Sequence, residues 1–277
     1  MQRLPRSGLI ERVPYSLSRY TDLPGTTPKW RWFEECLSIQ RMIAFDPKTS
    51  TPSVWSLAPS DTLSLVFWTK DPTNLIASQL RLQPYNVVIH MTATGWREVE
   101  KGVPIIAEAG RLLVEASRAF SRVHWRFSPI PLISDQLVIE RFKRLLDFAV
   151  QAGREEVYVS FLQPNDMIAE TRSAGARFDL LNRLSEVARP LRVVLCKDDR
   201  SLDEWQGARY SLGPCVPTSD FRVGELSLES CECVSMVDPF SLNESCGYAC
   251  QYCYAGDKAL AARKRNSVRG LPLYRDR

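Results

Sequence analysis

Short apolar, β-rich runs alternate along the chain with longer segments in which apolar residues recur every three or four positions. The runs at 13–20, 63–69, 86–92, 123–128, 156–162, 191–196 and 234–240 predict strands. The segments at 28–40, 75–82, 104–120, 137–151, 167–187 and 256–264 predict helices. The helical spacing is clearest in Val138, Phe142, Leu145, Leu146 and Ala149, which fall on one face. Residues 42–57 carry Asp46-Pro47 between two β-rich flanks and predict a hairpin inserted between the first helix and the second strand. This alternation predicts an α/β chain, its parallel strands curled into a partial TIM-like βα barrel with helices outside. No repeat, low-complexity tract or linker interrupts it, so residues 1–277 read as one barrel domain. Residues 196–255 form its Cys-rich region and 256–277 a basic tail. The stretch 200–228, rich in Gly, Pro, Ser and Asp, is the least regular and reads as an extended loop that carries ligands.

Composition narrows the setting. The chain is 44% hydrophobic and 25% charged, an ordinary globular balance. Met1-Gln-Arg-Leu-Pro-Arg leads into no apolar segment of a secretory signal, and no stretch is long and apolar enough to span a membrane. Eight cysteines without an export signal favour metal ligation in a reducing cytoplasm over disulfides. The net charge of +4 is mild, but Lys258, Arg263, Lys264, Arg265, Arg269, Arg275 and Arg277 crowd the tail. That tail reads equally as a phosphate-binding patch for nucleic acid or as a solvated basic helix end.

In barrels of this kind chemistry gathers at the C-terminal ends of the strands. The first four predicted ends offer Arg19, Lys70, His90 and Arg126, a convergence that suits carboxylates or phosphates. Only two histidines are present, His90 and His124, too few for a zinc hydrolase. His90 alternates with Thr92 and Thr94 and points into the barrel; His124 fits a core role as well as a site role. No Gly-rich phosphate loop and no Gly-x-Ser-x-Gly elbow is found. Of the seven tryptophans, most read as core, with one or two free to stack a base.

The sharpest signal is Cys246-Gly-Tyr-Ala-Cys250-Gln-Tyr-Cys253. Three thiols at this spacing can hold three irons of a [4Fe–4S] cluster and leave the fourth open to a small chelating molecule. A structural zinc site closes with four ligands, commonly as paired knuckles, and this is not that spacing. CxxxCxxC is the pattern of radical S-adenosylmethionine (SAM) enzymes, in which the chelating molecule is SAM and an electron from the cluster splits it.

Further motifs extend the likeness. Ser18-Arg19-Tyr20-Thr21-Asp22-Leu23-Pro24, Phe67-Trp68-Thr69-Lys70-Asp71-Pro72, Trp125-Arg126-Phe127-Ser128-Pro129-Ile130 and Cys231-Glu-Cys233 precede the Cys246–Cys253 motif in order. On this ordered set the chain resembles an uncharacterised radical SAM-like family of bacterial and phage proteins, distantly related to spore photoproduct lyase. The resemblance covers nearly the whole chain. It departs at Tyr20, where the family usually has Arg, at Ser128, where it often has Asp, and in the spacer Gly247-Tyr248-Ala249. Those departures bear on the substrate, because all three thiols are intact.

The resemblance implies a [4Fe–4S] cluster on Cys246, Cys250 and Cys253, with Tyr252 beside the adenine of SAM. In most radical SAM enzymes the cluster loop follows the first strand, whereas here it follows the last. A circular permutation reconciles the two: the run 234–240 takes the usual first-strand place and 13–20 the second. Ser18 and Asp22 would then face the amino group of SAM, while Thr69 and Thr92 line its pocket and Arg19, Lys70, His90 and Arg126 orient SAM and substrate. Cys196, Cys215, Cys231 and Cys233 form a second set, for an auxiliary [4Fe–4S] cluster, for zinc, or for nothing. Cys36, inside a predicted helix, reads as core.

The expected function is a radical SAM enzyme of lyase or isomerase type. It would abstract hydrogen from a modified pyrimidine of DNA or a nucleotide and take electrons from a flavodoxin or ferredoxin. The alternatives are a radical SAM enzyme on a small metabolite or peptide, SAM-dependent methyl transfer, and a non-catalytic iron–sulfur or zinc module that binds nucleic acid.

Overall fold

The computed structural model describes residues 12–18, 22–25, 27–45, 52–100, 102–162, 172–196, 209–221, 228–229, 232–237, 248 and 250. Strand β1 (Val13–Ser16) is followed by helix α1 (Thr27–Ile39) and by the antiparallel hairpin of β2 (Arg41–Phe45) and β3 (Pro52–Ser56). The chain continues as β4 (Thr62–Thr69), α2 (Thr73–Ala77), α3 (Gln79–Leu82), β5 (Val87–Thr92), α4 (Ile106–Ala119) and β6 (Val123–Ile130). Then come α5 (Asp135–Gln151), β7 (Glu156–Phe161), α6 (Ala174–Val187), β8 (Arg192–Cys196) and β9 (Ser211–Gly213). Strands β1-β4-β5-β6-β7-β8-β9 pair in that order, all parallel, in a seven-stranded sheet curled into a half-barrel.

The period of two along each strand separates two environments. On the helix-covered face lie Leu65 and Phe67, Ile89 and Met91, Trp125 and Phe127, Val157 and Val159, Val193 and Leu195, within one large apolar core. Helix α5 lays Val138, Phe142, Leu145 and Ala149 on that face, and Ser134 caps its first turn by accepting from Leu137 N. The other face carries Val66, Val88, Tyr158 and Val194. It is covered by the segments after β8, through Cys215, Val216, Phe221, Cys233 and Val234. These segments plug the hollow of the half-barrel.

The edge of the sheet beyond β1 is also occupied. Ser16 N donates to Val237 O at 2.8 Å and Val237 N to Pro14 O at 3.0 Å, a parallel bridge between Val237 and Tyr15. Of the strand expected at 234–240 the described residues show single bridges, Val237 to Tyr15 and Val234 antiparallel to Leu228, while 238–240 lie outside the described residues.

Two expectations change in detail. The helix expected over 75–82 is two short ones, broken at Ser78. The Ser78 hydroxyl accepts from Trp30 Nε1 and donates to Glu34 Oε1 of α1, so it is drawn inward from the helix surface. The helix expected over 167–187 is described as Ala174–Val187, with Ser173 as its cap. Strand β9, within the stretch expected to be irregular, is an addition; at three residues it is too short to show a period. The helix expected at 256–264 and the basic tail lie outside the described residues.

Candidate functional site

The in-register pairs Trp68 with His90 and His90 with His124 set three rings in a row across β4, β5 and β6. Trp68 and His90 stack with centroids 4.3 Å apart, and His90 and His124 at 4.9 Å. Tyr158 on β7 meets His124 edge-on, at 5.4 Å. The Arg126 guanidinium lies 4.8 Å from the centre of the Trp68 ring, within cation–π range. His124 Nε2 lies 2.8 Å from Asp220 Oδ2, a residue of the plug. His90 is 0% exposed, and neither of its ring nitrogens has a hydrogen-bond partner among the described residues. Burial holds its pKa well below the usual histidine value, and the nearby His124 and Arg126 add to that, so the ring is neutral near pH 7. Arg126 Nη1 is likewise buried without a partner among the described residues.

Beside this row, three thiols converge from separate parts of the chain. Cys196 ends β8, Cys215 follows β9, and Cys233 sits on the return segment. Their sulfurs all lie within 4.8 Å of one another, with Cys215 and Cys233 at 3.5 Å. Cys215 and Cys233 are buried and Cys196 half-buried. Hydrogen bonds from the Cys196 and Cys233 thiols hold Cys215 well below the usual thiol range, and the Arg126 charge adds to this. The same contacts push Cys233 up. Three soft donors this close form a set that can hold a metal. His90, His124 and Asp220 also bring donor atoms within 4.8 Å. Two stacked imidazoles, however, cannot direct both lone pairs at one ion without turning a ring.

A second cluster forms at the C-terminal ends of β1, β4 and β5. The buried Asp22 carboxylate accepts from Gly25 N at 2.9 Å, Thr69 Oγ1 at 2.7 Å and Lys70 N at 2.6 Å. Burial pushes its pKa up to about 6, against the lowering pull of those hydrogen bonds and of the Lys70 charge. Lys70 Nζ reaches Glu100 Oε1 at 2.5 Å, and Thr94 Oγ1 donates to Glu100 Oε2 at 3.1 Å. Glu100 is itself 0% exposed. Its backbone bridges antiparallel to Cys250, and Gly102 N donates to Tyr248 O at 3.2 Å. A Cβ on Gly25 would come within 2.0 Å of Tyr248 Oη, so the two residues are packed in close contact.

The residues expected to carry function thus fall into two groups. Asp22, Thr69 and Lys70 meet at the strand ends, next to Tyr248 and the half-buried Cys250. His90 and Arg126 lie on the concave face beside Cys196, Cys215 and Cys233. Thr92 ends β5 in register with Arg126, and Ser18 is buried, its hydroxyl without a partner among the described residues. Arg19, Cys231, Cys246, Tyr252 and Cys253 lie outside the described residues. Cys36 is core, its thiol pushed by burial up to about 12. Trp30, Trp96 and Trp125 are core as well, Trp32 and Trp55 pack against it, Trp68 is a stacking ring on the concave face, and Trp205 lies outside the described residues.

Three participants were not singled out from the sequence: Glu100, Asp220 and Tyr158. Glu100 stands in the mostly polar Arg97-Glu-Val-Glu100, and its burial comes from tertiary packing. Among the described residues no helix is long and apolar enough to cross a membrane.

Residues 15–255 match the model of a domain of unknown function, DUF1848, and the chain belongs to that family. No curated protein matches it.

Proposed function

We propose that this member of the DUF1848 family is a radical SAM enzyme whose cluster sits on Cys246, Cys250 and Cys253 at the C-terminal mouth of the half-barrel. One observation carries the reading. Cys250, the middle thiol of the motif, pairs through its backbone with Glu100, in the same mouth where Asp22, Thr69 and Lys70 meet. The parallel bridge of Val237 to Tyr15 adds support, since it puts a residue of the chain before the thiol loop beside β1. That is the neighbour relation a circularly permuted barrel requires. Reduced and bound to SAM, such a cluster supplies the electron that releases a 5′-deoxyadenosyl radical.

The chain's own residues divide the remaining work. Asp22 gathers Gly25 N, Thr69 Oγ1 and Lys70 N, so its part is to tie the turn at 22–25 to the end of β4. Lys70 is balanced by Glu100, which fixes the loop that Cys250 pairs with. The buried Ser18 hydroxyl, without a partner among the described residues, is the group we assign to SAM. The concave face that carries Arg126 is filled by the plug, so the substrate binds at the mouth. A pyrimidine base of DNA or a nucleotide is the substrate class that fits the spore-photoproduct-lyase likeness and the basic tail.

The test is spectroscopic. Anaerobically reconstituted protein should bind about four irons and four sulfides at the loop. Its reduced electron paramagnetic resonance (EPR) signal should change when SAM is added. Cys250→Ala should lose both properties. A cluster signal indifferent to SAM would point instead to the non-catalytic iron–sulfur module.

A further inference from the structure

We propose that Cys196, Cys215 and Cys233 supply three of the four ligands of a single zinc ion, separate from the cluster loop, that pins the plug across the concave face of the half-barrel. The distances select the ion. Tetrahedral zinc with Zn–S bonds of about 2.3 Å places its thiolates about 3.8 Å apart. The three sulfurs lie within 4.8 Å of one another, and the closest pair at 3.5 Å. The thiolates of a [4Fe–4S] cluster sit on separate irons, roughly 6 Å apart, and the cubane core between them needs a void. Here the space around the thiols is filled by Val194, Val216, Val234 and Tyr158. A disulfide needs sulfurs at about 2.05 Å and would leave the third thiol over.

Two features of the surroundings point the same way. The Cys215 backbone amide donates to Cys233 Sγ at 3.2 Å, the kind of hydrogen bond that stabilises a metal-bound thiolate. Three thiolates on a divalent ion carry one net negative charge, and the Arg126 guanidinium beside Cys215 offsets it inside the fold. The three ligands come from the end of β8, the turn after β9 and the return segment before Val237. Holding them together closes the loops between them, and those loops carry the residues that cover His90, His124 and Tyr158.

Metal analysis of the protein purified with its thiols reduced should give about one zinc per chain, retained in Cys250→Ala and lost in Cys233→Ser and Cys215→Ser. If a serine variant fails to fold, titrating the wild-type protein with a mercurial provides the same reading. Zinc should then appear in step with loss of the Cys196, Cys215 and Cys233 thiols, together with a fall in melting temperature. Either of two results would overturn the assignment. One is zinc-free protein with all three thiols freely alkylated. The other is four extra irons and acid-labile sulfides per chain that survive Cys250→Ala and vanish in Cys233→Ser. Neither bears on whether the Cys250 loop binds SAM, so the two readings fail separately.

Discussion

Asp22 and Glu100 are two buried carboxyl groups held by different partners. Asp22 relies on hydrogen bonds, and its pKa still rises from 3.8 to about 6. A carboxyl group with a raised folded-state pKa stabilises the fold most below its unfolded value, and that contribution is lost as pH climbs through the folded value. The window is therefore pH 3.8 to about 6. Across it the stability of the wild type relative to Asp22→Asn should fall by on the order of 3 kcal/mol, read from urea unfolding at several pH values. A difference that stays flat with pH would show that Asp22 is better solvated than its burial indicates. Glu100 relies on the Lys70 charge. Lys70→Met, which leaves that carboxylate buried and unpaired, should cost about 3–5 kcal/mol. Glu100→Gln should cost distinctly less, because the Lys70 side chain is 16% exposed and can turn to water. Equal losses in the two variants would contradict this asymmetry.

Elements show how far the sequence could be read. The strands from β4 to β8 were legible because each is a β-rich run between polar breaks, and α5 because its apolar stripe is regular. The hairpin of β2 and β3 was legible from Asp46-Pro47 and its flanks. Strand β9 was not, since Ser211-Leu-Gly213 forms only against β8. The same limit applies to the site. CxxxCxxC is a local pattern and announces itself, whereas the meeting of Cys196, Cys215 and Cys233 depends on how the plug returns over the sheet. Glu100 was hidden for a related reason, because Lys70, the cation that meets it in the fold, lies 30 residues away in sequence. The seating of the thiol loop gives a test at this scale. In Gly25→Ala the new methyl would fall 2.0 Å from Tyr248 Oη, so Tyr248 must leave its place beside Asp22. Iron bound after reconstitution should drop in Gly25→Ala and recover in part in the Gly25→Ala/Tyr248→Ala pair, which removes the phenol and leaves the tight 3.0 Å approach to Asp22 Cγ. Full iron in Gly25→Ala alone would mean that the loop does not need this contact.

At the scale of the whole molecule the half-barrel has two distinct ends to its chemistry. The hollow is occupied by a plug anchored through three thiols and an Asp220–His124 contact, so it stabilises rather than admits. The mouth carries Cys250 beside Glu100, with Val237 extending the sheet past β1. On this account the reactive loop and the sheet edge beside β1 belong together although they lie at opposite ends of the sequence. The most direct measurement is the product of SAM cleavage. Reconstituted protein, reduced with dithionite under anaerobic conditions and given SAM, should release 5′-deoxyadenosine and methionine, and Cys246→Ala, Cys250→Ala and Cys253→Ala should not. Formation of S-adenosylhomocysteine instead, or no 5′-deoxyadenosine from a protein carrying its full complement of iron, would contradict the account.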